Sequence, residues 1–187
     1  VVAAGNDGKN LDLSPVYPAC YGLSNIVVVG ACDSSDYKAS YSNYGNAKVQ
    51  LFAPGADTAE TTTIWTTDWS GTYSGQTGTS MAAPQVAGAI ALVWAKYPTL
   101  TYSQVIAHVC KSADYVAQLA AYAKYDGRLN VATALLSPSV VAGFGKGKGG
   151  VQFFRASAQV NPSRVVLPTG LNPLTISSPS AQSVLAF

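Results

Sequence analysis

Gly78-Thr79-Ser80-Met81-Ala82-Ala83-Pro84-Gln85-Val86-Ala87-Gly88 is the stretch on which the reading of this chain turns. It places a serine behind a glycine turn, at the start of an apolar run through Ile90, Leu92, Val93 and Trp94. The pattern predicts a helix with Ser80 at its N-terminus, where unpaired backbone N–H groups and the positive end of the helix dipole favour developing negative charge. With Ser80 as the N-cap, Pro84 falls at the fourth helical position, among N–H groups that lack an intrahelical partner in any case. By residue type alone, the same stretch also fits a capped core helix whose serine only closes the first turn.

Upstream, Val1 to Ala4 is a short apolar run that stops at Gly5-Asn6-Asp7-Gly8, a strand followed by a turn in which Asn6 tolerates left-handed backbone. Residues 9–25 read as a loop. Asn25-Ile26-Val27-Val28-Val29-Gly30-Ala31 is apolar without alternation, as in a parallel strand buried on both faces. Val49-Gln50-Leu51-Phe52-Ala53-Pro54-Gly55 is another strand and stop. Residues 56–76 form a Thr-rich segment with Trp65, Trp69 and Tyr73, expected as a strand pair or lid. Its aromatics either border a cleft or pack on the domain's own surface.

Downstream, Thr101-Tyr102-Ser103-Gln104 opens a second helix that buries Val105, Ile106, Val109 and Cys110. Its His108 is the only histidine of the chain, and a structural role is expected for it. Ser137-Pro138 and Gly143-Phe144-Gly145-Lys146-Gly147-Lys148-Gly149-Gly150 read as a linker over 137–150. Residues 151–187 read as an extension, an extended arm or small β element.

Of the 187 residues 48% are hydrophobic and 11% charged, half the usual share of charge, which fits a secreted or tightly packed protein. The net charge of +2 is unevenly spread: residues 1–136 carry seven Lys and Arg against nine Asp and Glu, residues 137–187 four basic residues and no acid. The basic tail has neither a Lys/Arg run nor interleaved aromatics, so no nucleic-acid partner is expected. The longest apolar run is broken by Gly88 and Lys96, too short for a membrane span. Cys20, Cys32 and Cys110 allow at most one internal disulfide, whose pairing stays open, and with one His they cannot complete a zinc site. No cofactor is expected, and a structural calcium ion, though compatible with the chain, has no support from residues in this segment.

The Ser80 stretch matches, at every fixed position, the Gly-Thr-Ser-Met-Ala-x-Pro-x-Val-Ala-Gly nucleophile motif, and on it the chain resembles the subtilisin-like serine peptidases (subtilases). Gln85 stands where relatives often have His; that position is not the catalytic base. The Ala-Ala-Gly-Asn run ending at Asn6, 74 positions before Ser80, is similar to a second landmark of that family. Ser-Tyr-Ser-Asn-Tyr-Gly at 40–45, Ala-Pro-Gly at 53–55 and Gly-Arg-Leu-Asn at 127–130 look like others. The resemblance implies an α/β three-layer sandwich with a mostly parallel sheet, of which residues 1–136 are the C-terminal portion. It implies Ser80 as the acylating nucleophile and Asn6 as oxyanion-hole donor. Ala3 and Gly5 would wall the substrate pocket, and Thr79 would pack beside the oxyanion site. Some relatives bind a cation through a carboxylate just before Ala-Pro-Gly, where this chain has Gln50.

A serine nucleophile needs an adjacent base, itself oriented by a carboxylate. In subtilases the order is Asp, His, Ser, and nothing in the chain matches the Asp or His motif. Opening on Val-Val-Ala-Ala without an initiating Met, the chain reads as a fragment or a product of processing. The first reading is therefore a secreted serine endopeptidase acting on peptide or protein substrates, with the N-terminal half of the same domain supplying Asp and His. The alternative is a catalytically silent piece retained as a structural or binding component of a larger assembly. A third, a non-peptidase α/β binding module, does not account for Ser80 and Asn6 together.

Overall fold

The structure, a computed structural model, describes residues 1–57 and 63–136. The expected linker at 137–150 and extension at 151–187 lie outside the described residues. A five-stranded sheet organises the rest. β1 (Val2–Ala3), β2 (Val28–Cys32), β3 (Leu51–Pro54) and β7 (Gly127–Arg128) run parallel in that spatial order, and β6 (Asp114–Tyr115) closes one edge antiparallel to β7. The mostly parallel α/β sheet agrees with the sequence reading.

Every residue of β2 is buried, because its two faces feed two cores. Val29 and Ala31, with Leu51 and Ala53 of β3, face Ala82, Val86, Ala89 and Val93 of α1 (Thr79–Lys96) and Val105 and Val109 of α2 (Tyr102–Lys111). Val28, Cys32 and Phe52 face Leu11, Cys20, Leu119 and Ala123, so among the described residues the layer on that side consists of loop segments and one short 3-10 turn at Ala19–Tyr21. Gly30 pairs with Phe52, and the absence of a side chain there gives the Phe52 ring its room. Each fully buried Val, Leu or Phe adds about 1.5–3 kcal/mol of apolar burial, which explains the unbroken apolar runs in the sequence.

The helix boundaries follow local chemistry. Thr101 caps α2 through a capping box in which its side chain accepts from the Gln104 N–H and the Gln104 side chain accepts from the Thr101 N–H. The Asn130 side chain caps α3 (Val131–Ala134) by accepting from the Thr133 N–H. At α1 the expectation needs correcting: the N-cap is Gly78, at φ 142°. Ser80 is therefore the second helical residue, and Pro84 lies at the sixth position, two residues deeper than expected, leaving the Ser80 carbonyl without its i+4 donor. Residues 63–76 do form a strand pair, β4 (Ile64–Thr67) against β5 (Tyr73–Gln76). Its Trp65, Trp69 and Tyr73 are 73%, 99% and 71% exposed, so they do not pack on the described residues of this segment.

All three cysteines are buried and unpaired. Burial first, and then the nearby Asp36 carboxylate, pushes Cys32 from 9.0 up to about 12, and burial likewise pushes Cys110 up to about 12. In the folded protein these thiols should resist a thiol reagent at about pH 8 and react fully once the chain is denatured. The unfolded chain loses these protons near pH 9 while the folded one holds them to about 12. Stability should thus be unaffected below about pH 9 and fall as pH rises towards 12, read as a declining urea midpoint.

The helix α1 has no charged residue before Lys96, and a helix apolar all round is built for burial on every side. Here one side is uncovered: Leu92 is 53% and Trp94 43% exposed. Beside them, Val1, Val27, Ile90, Trp94, Tyr102 and Ile106 line an open groove of about 410 Å3 next to the edge strand β1. An apolar helix face and a strand at the edge of the sheet formed by the described residues together invite association. The 187-residue chain alone is expected to self-associate in sedimentation velocity; a monomer that unfolds cooperatively would contradict this.

Candidate active site

Two segments far apart in sequence meet where β1 and the start of α1 run side by side. Asn6 lies in the loop after β1, and its Oδ1 accepts from the Thr79 N–H (3.0 Å) and from Thr79 Oγ1 (2.7 Å). Thr79 Oγ1 in turn accepts from the Gly5 N–H at 3.2 Å. A backbone N–H can only donate, so the atom facing Thr79 must be the Asn6 oxygen. Nδ2 of Asn6 is therefore turned to the other side, where it has no protein partner among the described residues.

That other side is defined by Gly78. A Cβ built on Gly78 would stand 3.4 Å from Asn6 Nδ2 and 3.7 Å from the Ser80 backbone nitrogen. A side chain at 78 would occupy the space between those two donors, and φ 142° is itself a conformation that favours glycine. The Ser80 N–H belongs to the first turn of α1, where amides have no intrahelical acceptor. Two N–H donors, one from a side chain and one from the backbone, thus flank a small volume at the positive end of an 18-residue helix. Ser80 itself is exposed, in the next position along the chain from buried Thr79.

The surroundings keep this junction rigid. The Gly78 N–H donates to the Gly55 carbonyl (3.0 Å), and Tyr41 Oη donates to the same carbonyl (2.7 Å). Gln85 donates through Nε2 to the carbonyls of Pro54 (2.7 Å) and Met81 (2.9 Å), fastening the first turns of α1 to the end of β3.

The structure thus brings Ser80, Asn6, Gly5 and Thr79 together. Thr79 is 1% exposed with its hydroxyl engaged on both sides. Through its N–H and its hydroxyl it fixes the Asn6 side chain. Ala3 lies within β1, paired with Val29 and half-buried. His108 is at another place: Nε2 donates to the Ala134 carbonyl (2.7 Å) and the ring stacks edge-on against Tyr97. Since a carbonyl only accepts, Nε2 carries the proton. At the position where relatives carry a cation-binding carboxylate, the Gln50 side-chain oxygen accepts from the Val28 N–H, so the residues present do not fit a cation there. Among the described residues no group of three or more His, Cys, Asp or Glu is placed to hold a metal ion. None of their helices is long and apolar enough to cross a membrane. The residue sequence reasoning missed is Asn43, buried beneath the Asn6 loop. Its only signal was membership of the 40–45 landmark, which says nothing about what its side chain holds.

The family model of the subtilases, peptidase family S8, matches residues 1–147. This chain belongs to the subtilase family. It is 40% identical over 135 residues to subtilisin DY of Bacillus licheniformis, spanning 72% of this chain and 45% of that protein. It is 48% identical over 105 residues to the extracellular serine proteinase of Thermus sp. (strain Rt41A), spanning 56% of this chain and 23% of that protein. Among solved structures, a protease of Pseudoalteromonas arctica superposes with a TM-score of 0.61 at 28% identity, over 75% of this chain and 42% of that one. The epidermin leader peptide processing serine protease of Staphylococcus aureus gives a TM-score of 0.59 at 28% identity, over 71% of this chain and 38% of that one. This subtilase segment therefore spans less than half the length of the relatives it matches. The serine-peptidase character of the family is in accord with the Ser80 motif.

Proposed function

We propose that this segment is the nucleophile-bearing half of a secreted subtilisin-type serine endopeptidase, completed by an N-terminal half that brings the Asp and His. Ser80 Oγ attacks the carbonyl carbon of a peptide substrate while the histidine takes its proton. The carbonyl oxygen, now an oxyanion, sits between Asn6 Nδ2 and the Ser80 N–H. The amine leaves with the proton returned by the histidine, and water then hydrolyses the ester on Ser80. Gly5, held to Thr79, and Ala3 beside it form one wall for the side chain preceding the scissile bond.

The observation that carries this reading is the pair of donors, without partners among the described residues, on either side of the space kept open by Gly78. A serine that merely capped a core helix would need neither the glycine at φ 142° nor an asparagine oriented by Thr79 to present its amide. The base has to come from outside these residues, because the single His is buried with Nε2 bonded to Ala134. A fluorophosphonate probe should label Ser80 when the segment carrying Asp and His is present. Absence of labelling with that segment demonstrably present would leave the silent structural component as the better account.

A further inference from the structure

Asn6 is the exposed tip of a loop with no regular structure, yet a donor that stabilises a transition state has to be fixed before the reaction begins. Thr79 fixes one atom of its side chain. The backbone that carries it is held by a different residue. Asn43 is 0% exposed, and its side-chain amide uses all four of its hydrogen-bonding positions on the residues that bracket Asn6. Nδ2 donates to the Ala4 carbonyl at 2.8 Å and to the Asp7 carboxylate at 3.4 Å. Oδ1 accepts from the N–H of Asp7 at 3.1 Å and of Lys9 at 2.8 Å. The Asn43 backbone N–H donates to the Gly5 carbonyl at 2.9 Å. From Ala4 to Asp7, Asn6 is the one residue that Asn43 does not bind.

Fit as well as bonding ties the two together. Gly5 adopts φ +98°, and a Cβ there would come within 2.5 Å of Asn43 Nδ2, so the amide occupies the place of the missing side chain. Asn43 is itself anchored to the sheet: Ser42 Oγ accepts from the Ala31 N–H and donates to the Asn43 carbonyl, both at 2.9 Å. The path runs from the buried strand β2 through Ser42 and Asn43 to the loop and its tip. A fully satisfied buried amide of this kind rigidifies what it binds.

We propose that Asn43 is the positioning residue of the oxyanion donor, setting the backbone from which Asn6 presents Nδ2. It does not touch the substrate. This rests on the functional reading given above. Asparagine suits the task because it offers two donors and two acceptors at one reach. Aspartate would retain the acceptors for Asp7 and Lys9 but set a carboxylate oxygen against the Ala4 carbonyl and the Asp7 carboxylate.

The test is a double-mutant cycle in the complete enzyme, pairing Asn43→Ala with Asn6→Ala and measuring kcat and KM on a peptide substrate. Asn43→Ala is expected to lower kcat by about 10- to 100-fold with KM within about threefold, because a loss of donor placement falls on the transition state. In the Asn6→Ala background the same substitution should change kcat by no more than about twofold, since the donor it positions is gone. Asn43→Ser, which fills part of the site with a neutral group that can donate and accept, repeats the cycle should the alanine variant fold poorly. Equal losses in both backgrounds would make Asn43 merely structural and overturn the proposal, as would an unchanged kcat in the single variants. An inactive wild-type complex, or one indifferent to Asn6→Ala, would instead overturn the functional reading beneath it.

Discussion

Replacing Ser80 by alanine in the complete enzyme is expected to lower kcat by about a million-fold, the scale that nucleophile removal has in subtilisin itself. The size follows from the chemistry. Without Oγ there is no acyl-enzyme, and water must attack a peptide bond directly. The remaining members of the triad cannot make up the difference, because they act only through the nucleophile. What survives is electrostatic: the Asn6 amide and the residue 80 N–H would still flank the space at Gly78, worth a residual acceleration of roughly 10^3–10^4 over water. Binding should persist, so a substrate-like inhibitor should retain its affinity. The substitution removes one exposed oxygen at the second position of α1, so the urea midpoint should hardly move. Loss of activity with loss of fold would point to a structural serine instead.

Removing the Asn6 donor is the second large effect. Asn6→Ala should lower kcat by about 10^2–10^3 with KM little changed, the magnitude known for the equivalent donor in subtilisin. Alanine also strips Thr79 of the acceptor for its N–H and its hydroxyl, so part of the loss could come from a loosened start of α1. Asn6→Asp separates the two contributions. Its carboxylate can still accept from Thr79 through one oxygen, while the other oxygen, in the place of Nδ2, repels the developing negative charge. The aspartate variant is expected to be at least as impaired as the alanine variant while being no less stable. A kcat for Asn6→Asp close to wild type would exclude an oxyanion-stabilising role.

The part of the site legible in the sequence is the part carried by contiguous residues. The helix after Gly78, the buried strand through Val29 and the strand before Ala-Pro-Gly all have local causes: a glycine turn, an unbroken apolar run, a proline stop. Boundaries were less legible. Ser80 looked like the cap because serine is a good one, whereas the chain caps α1 with Gly78 and satisfies Thr79 from across the molecule through Asn6. That partner is 73 residues away, and no local propensity reports it. The hairpin aromatics are a similar case. Composition could not separate a cleft border from surface packing, and only the register of β4 on β5 shows Trp65 and Tyr73 left exposed.

By itself, the amino-acid sequence determined the family, the parallel α/β class and the motif on which the proposed nucleophile rests. These are properties of short segments, in which residue type and spacing are set by backbone geometry and reaction chemistry. The tertiary structure decided which atoms face which. It joined Thr79 to Asn6, oriented the Asn6 amide, left the three cysteines as buried thiols and put Asn43 beneath the loop. The physical reason is that a buried polar group must find its partner wherever the fold brings one within about 3 Å, and that distance in space bears no relation to distance along the chain.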